Sequence, residues 1–335
     1  MTSAGNTFAL KNRKGWAVSI LFSVGLLFVL FRSVDDQILS DLADRMEPSW
    51  LVLVGGLYFL TFWSRGMRYR NLLKFQNESA GSKYLHLSLM HHLYLIILPA
   101  RAGELIFPWL SHSILGSGRT LNLLVLLIAR LFDSCFIFVF IAWGLFAALL
   151  PNAPLFLNLA ASLLAVIFLL LGIRYQIMIG GLLKLASILK RQRHIRGFFT
   201  RIHSQLLEAQ SLLLEQHDAK NQFLFFLWTS LSWLVSALGL WSLFKVYGYT
   251  VEPGIIIFLL GGINVIGVLG VFSIGGLGIA ELGLAGMLIL IGFDVQTGIA
   301  LGLGVRLSMV GISLVVIALS EATLSIIRVR MGALQ

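Results

Sequence analysis

The chain has 335 residues, 58% of them hydrophobic and only 12% charged, where an ordinary globular domain carries about 25% charged residues. This balance excludes a disordered chain and argues against a soluble two-domain enzyme. The net charge of +10, from 25 basic and 15 acidic residues, is unexpected in a chain so apolar, so the position of each charge becomes the first question.

Lys11, Arg13 and Lys14 precede an apolar run over 16–31. The run ends in Phe31-Arg32 with no small-residue cleavage site after it, which predicts a retained first span rather than a signal peptide. The next segment is acidic, with Asp35, Asp36, Asp41, Asp44 and Glu47. A second span is predicted over 50–63, followed by Arg65, Arg68, Arg70, Lys74 and Lys83. Further full spans are predicted over 120–149, 155–173, 222–246 and 296–327, each an apolar run suited to crossing a bilayer. The long polar stretch 174–221 includes Lys190, Arg191, Arg193, Arg196 and Arg201. Within it, Ile188, Ile195, Phe199, Ile202, Leu206, Ala209 and Leu213 recur at helical spacing, as in an interfacial amphipathic helix drawn to anionic lipid. The lone Cys135 lies in an apolar run, so no intrachain disulfide can form.

Basic flanks mark the cytoplasmic side of a membrane protein. Most of the 25 basic residues fall before 16, in 64–83, at Arg119, in 174–221 and after 327. Both termini are therefore expected in the cytoplasm of a prokaryotic inner membrane, with the acidic segment and the loop near Pro151 outside. Parity then makes the two interrupted apolar regions, 83–115 and 254–292, hairpins that enter from opposite faces. A leg such as 105–115 reaches only about 16 Å as a helix, half of the roughly 30 Å hydrocarbon core. Re-entrant half-helices fit better than spans.

The hairpin tips carry the most specific pattern. The first reads Pro99-Ala-Arg101-Ala-Gly103-Glu104 and the second Ser273-Ile-Gly275-Gly276-Leu277-Gly278-Ile-Ala280-Glu281. Each places turn-permissive residues before a glutamate and a short apolar helix. Arg130-Leu131 follows the first tip, with Asp133 shortly after, and Arg306-Leu307 follows the second. Oppositely oriented repeats with broken helices at mid-membrane are how many secondary transporters build a substrate site. A tip opening onto a half-helix also aims free N–H groups and a positive dipole end at that site, which suits an anion. An arginine buried at this depth costs about 2.5–3.5 kcal/mol on insertion scales and needs a partner or a task. Glu104, Glu281 and Asp133 are the available partners for Arg130 and Arg306. These pairs serve either to bind substrate or to hold the hairpins in place, and the two roles are compatible. Arg101, at the first tip, has no counterpart at the second.

Other polar residues read more plainly. His91 and His92 face different sides of a helix, which disfavours chelation of one metal, and no metal or cofactor is expected. Glu321 is expected to pair with Arg328, and Asn264 to satisfy broken backbone or line the cavity. No phosphate-binding loop is present to support ATP drive.

These motifs, Pro99 to Glu104, Arg130-Leu131-Phe132-Asp133 and Gly275 to Glu281, resemble the flippase-like family that includes the transmembrane region of bacterial lysylphosphatidylglycerol synthases. The similarity covers nearly the whole chain. It implies the lipid-flipping half of such proteins, since the chain ends at Gln335 and a soluble synthase domain is not expected. Relatives of this kind are linked to aminoacylated, glycosylated or polyprenyl-phosphate lipids.

The expected fold is an all-α polytopic membrane protein forming a single domain. It has about six full spans and two re-entrant hairpins, with repeats over about 50–149 and 222–327. The expected function is transport of a phosphate-containing lipid between leaflets, without catalysis. Arg101, Glu104, Arg130, Asp133, Glu281 and Arg306 are the candidate binding residues, and Pro99, Gly103, Gly275, Gly276 and Gly278 shape the tips. Anionic phospholipids or lipid-linked headgroups are the expected partners; nucleic acid is not, and self-association stays open. The alternative is a membrane-embedded lipid-modifying transferase using Glu104 or Asp133 as a general base.

Overall fold

A computed structural model describes residues 13–73, 81–99, 102–149, 219–269 and 273–332, with isolated positions between 154 and 207. The described residues form ten α-helices. In hydrocarbon every backbone polar group must be satisfied within the protein, and a helix does so within its own segment. Helix α1 spans Arg13–Arg32 and turns through 89° into α2, Asp36–Asp44. Asp35 caps α2 by accepting from the Gln37 amide at 3.0 Å, and Leu42 is buried beneath it. Among the described residues, three helices are long and apolar enough to cross a bilayer. They lie within α6 (Arg119–Leu149), α7 (Ala219–Val246) and α10 (Val295–Gly332). Predicted span 155–173 and most of the basic segment lie outside the described residues.

Helix α3, Ser49–Leu73, differs from its prediction. The apolar run stops at Trp63, but the helix continues for ten residues. Arg65 and Arg68, expected in a cytoplasmic loop, therefore lie within the bundle, with Arg68 only 2% exposed.

The two interrupted regions are helical pairs: α4 (Gly81–Ile97) with α5 (Ala102–Leu115), and α8 (Pro253–Leu269) with α9 (Ile279–Leu290). The order long, short, short, long thus occurs twice, as α3–α6 and as α7–α10. Contacts follow the same order: α3 packs along α7, α4 on α5, α8 on α9, and each second hairpin leg on the long helix after it.

Two sets of contacts define the opposite faces of the bundle. On one, the Glu47 amide donates to the Val246 carbonyl at 2.8 Å, the Asp35 amide to Gln296 Oε1 at 3.1 Å, and the Tyr249 and Phe293 rings lie 5.8 Å apart. The mouth of the α8–α9 hairpin opens here. On the other, the Asn71 side-chain amide reaches the Asn221 carbonyl, and Leu72, Leu73, Leu115, Leu121 and Phe225 share one apolar cluster. The mouth of the α4–α5 hairpin opens there. The hairpins therefore enter from opposite faces, and their tips meet in an antiparallel bridge between Pro99 and Ile274. Exposed apolar side chains such as Leu21, Phe28, Val315 and Leu319 lie on the outer helices, as a lipid-facing surface requires.

Candidate functional site

The site forms where α3, α4, α5, α6 and α7 converge beneath the first tip. Glu104 is the third residue of α5, within the first turn, where a negative charge suits the helix dipole. Pro108 lies four residues on and has no N–H to donate to the Glu104 carbonyl. Close packing of the hairpin legs brings Glu104 inward. A Cβ on Gly103 would sit 2.6 Å from the Tyr94 carbonyl oxygen, so only glycine allows the legs to approach this closely.

Arg130, the twelfth residue of α6, meets Glu104 in a two-pronged ion pair. Its Nε donates to Oε2 at 2.8 Å, and Nη2 lies 2.7 Å from Oε1. The Arg130 Nη1 also donates to Asp133 Oδ2 at 3.1 Å. Asp133 is the hub of the cluster. Arg68 donates to its two oxygens at 2.6 and 3.3 Å, and the Trp233 indole N–H to Oδ1 at 3.2 Å. Two arginines and an indole thus surround one buried carboxylate, which satisfies a charge that hydrocarbon would otherwise penalise heavily. Arg68 also stacks over the Tyr69 ring, with its guanidinium carbon 5.6 Å from the centroid.

These residues border a cavity. Arg65, Arg68 and Tyr69 from α3, Ser88, His91, His92 and Leu95 from α4, and Arg130 from α6 line it. The Tyr69 hydroxyl lies 3.4 Å from His91 Nδ1, and His91 Nε2 lies 4.0 Å from Glu104 Oε2. The adjacent histidines do different things: His92 packs its ring 4.8 Å from Phe62, while His91 stays with Tyr69 and Phe107. Among the described residues no cluster of His, Cys, Asp or Glu could hold a metal ion.

The second tip is built alike but bonded differently. Glu281 is again the third residue of its helix, and Arg306 again the twelfth of the helix that follows. However, Glu281 accepts the Gly278 backbone N–H at 2.6 Å, capping its own helix, and its Oε1 lies 3.9 Å from Arg306 Nε. The Arg306 Nη2 instead donates to the Gly275 carbonyl at 3.1 Å. Both arginines thus have their glutamate within ion-pair distance, but only Glu104 is clasped at hydrogen-bonding distance. The residue three after Arg306 is Met309, so the second repeat has no equivalent of Asp133 on that face. Gly275, Gly276 and Gly278 take φ of +56°, +81° and +86°, and Ser23 of α1 accepts the Ile274 amide at 3.1 Å.

Of the remaining candidates, Pro99 joins the tip bridge, and Arg101 lies outside the described residues. The side chain of Arg328, the expected partner of Glu321, lies outside the described residues; the Glu321 carboxylate lies 2.7 Å from His86 Nδ1, tying α4 to α10. The side-chain amide of Asn264 donates to the Leu260 carbonyl in its own helix at 2.8 Å. Arg65, Arg68 and Trp233 are members of the constellation that the sequence did not reveal. Arg65 and Arg68 are spaced three apart on one helix face, a pattern that could have raised them, but nothing linked them to Asp133. Nothing in the sequence marked Trp233.

A family model described as the lysylphosphatidylglycerol synthase TM region matches residues 16–317. No curated protein matches the chain.

Proposed function

Because the chain belongs to the lysylphosphatidylglycerol synthase TM region family, whose description points to membrane-lipid biology, we propose that it moves a phosphate-containing lipid between leaflets. The observation that carries this reading is the meeting of two opposed hairpin tips at the Pro99–Ile274 bridge, flanked by Arg130 and Arg306. Broken backbone at this depth is tolerated only where it is buried or lines a wet cavity, and opposed broken helices are a common frame for alternating access.

In this mechanism a lipid headgroup enters beside the first tip. Its phosphate displaces carboxylate oxygens from Arg130, while Asp133 keeps Arg68 in place. Parting of the tips then opens the path past Arg306 toward the other face. Glu281 would border that path, and Glu104, once released, would be free to take a cationic part of the headgroup. The aminoacylated, glycosylated and polyprenyl-phosphate classes all offer the required anion.

Protein reconstituted in liposomes with headgroup-labelled phosphatidylglycerol should expose inner-leaflet label to an impermeant quencher. Arg130→Ala and Arg306→Ala should each slow this at least about tenfold, the cost of losing a charged hydrogen-bond donor. If both variants move lipid as fast as wild type, the site is wrongly assigned. A transferase would instead change the mass of the lipid.

The distribution of basic residues supports cytoplasmic termini in a prokaryotic inner membrane. A cysteine at Pro151 should react with an impermeant thiol reagent applied to intact cells, and one at Lys190 should not. The reverse pattern would invert the topology.

A further inference from the structure

Helix α4 belongs to the site and to the boundary between the repeats at once. Ser88, His91, His92 and Leu95 line the cavity, and Pro99, just beyond the helix, joins the tip bridge. Two residues before Ser88, His86 points the other way. Its Nδ1 lies 2.7 Å from both carboxylate oxygens of Glu321 on α10, so the contact ties repeat one to repeat two. His86 is the sixth residue of α4 and Glu321 lies in the last third of α10, near the face where the α4–α5 hairpin opens. The two side chains are 21% and 22% exposed, whereas Arg68 and Asp133 are 2% and 11% exposed. An enclosed pair cannot part without stranding a charge, but a pair at the edge of the bundle regains water when it separates.

The apolar contact around this pair is small. Phe62, Leu85 and Leu89 of repeat one meet Val316, Ile317 and Leu324 of α10 in the smallest of the three buried apolar clusters among the described residues. Elsewhere the repeats are joined along long helices, α3 with α7 and α6 with α8. A Cβ on Gly144 of α6 would lie 2.6 Å from the Phe258 backbone of α8, so that junction is too tight to slide. Apolar stabilisation scales with the area removed from water, so parting α4 from α10 costs least. We infer that His86 and Glu321 are the latch of an access gate: when they separate, α4 moves off α10 and opens the Ser88 side of the cavity to that face. The Pro99 end of the same helix carries the movement to the tips. The gate follows from the contacts between the repeats and holds whatever the cargo, so it goes beyond the lipid-transport reading.

The test is the rate at which a maleimide labels Ser88→Cys in a Cys135→Ser background, on the full chain in detergent. Ser88 is 3% exposed, so labelling reports opening. His86→Ala and Glu321→Ala should each raise the rate at least about tenfold, the factor for losing one hydrogen bond to a charged group. His86→Glu should raise it further, because two carboxylates then face each other. Adding Glu321→Lys to His86→Glu should bring the rate back near its starting value. Ser232→Cys, equally buried on α7, should stay slow throughout. Labelling of Ser88→Cys that ignores these changes would overturn the inference. A parallel rise at Ser232→Cys, or a reversed pair that fails to restore protection, would overturn it too. Liposome transport is read separately. A responsive gate without lipid movement contradicts only the transport reading, whereas lipid movement with an unresponsive Ser88→Cys contradicts only the gate.

Discussion

Asp133 is the residue on which the local electrostatics turn. Its neighbours are Arg68, Arg130 and Trp233, contributed by three helices, and Arg68 is almost wholly enclosed. Removing one member of such a buried set leaves an uncompensated charge, whereas removing both halves of a pair need not. Asp133→Ala should therefore lower stability in detergent by about 3–5 kcal/mol, while Asp133→Ala with Arg68→Met should recover a substantial part. Denaturant unfolding of the four proteins in the cycle gives the coupling; strictly additive losses would mean that the pair is not a unit. The same residue shows what was legible in the sequence. Glu104, Arg130 and Asp133 were found together because they lie on consecutive elements at recurring spacing. Arg68 was assigned to a loop because its partner lies 65 residues away, and a pairing so remote leaves no local trace. The chemistry that keeps an arginine inside a bilayer is a tertiary fact.

The half-helices show a different limit at the scale of elements. Their existence was readable, since broken apolar runs followed by glutamates occur twice. Their inequality was not. Glu281 spends one oxygen on the Gly278 amide, a capping interaction set by the φ of +86° at Gly278, while Glu104 gives both oxygens to Arg130. Two glutamates at the same helical position thus have separate tasks. Contact between the hairpins depends on Gly275, which has φ +56° and whose missing Cβ would run into the Ile96 carbonyl. Gly275→Ala should cost about 1–2 kcal/mol in backbone strain alone and should push the tips apart. Gly286→Ala, at a helical position with nothing within 4 Å, should be neutral or stabilising. Thermal unfolding of the two variants tests this, and equal behaviour would dissociate the tip contact from the stability of the fold.

For the whole molecule, the sequence predicts which face each loop occupies because positive charge and parity constrain one another. The structure adds the contacts that close each face: Glu47 with Val246 and Asp35 with Gln296 on one, Asn71 with Asn221 on the other. Between them the two repeats pack along α3 and α7 and along α6 and α8, and touch at the tip bridge and, nearer one end, through His86 and Glu321. Large apolar clusters stabilise the flanks, so movement that opens a path for lipid is expected at the narrow bridge rather than through the packed clusters. An antiparallel bridge holds opposed Cα atoms about 4.5–5.5 Å apart, within reach of a disulfide. The decisive measurement is therefore lipid movement in liposomes by the Pro99→Cys, Ile274→Cys protein in a Cys135→Ser background, before and after oxidation. The account predicts that cross-linking the tips stops movement and that a reductant restores it. Undiminished movement with the tips fully cross-linked would contradict it.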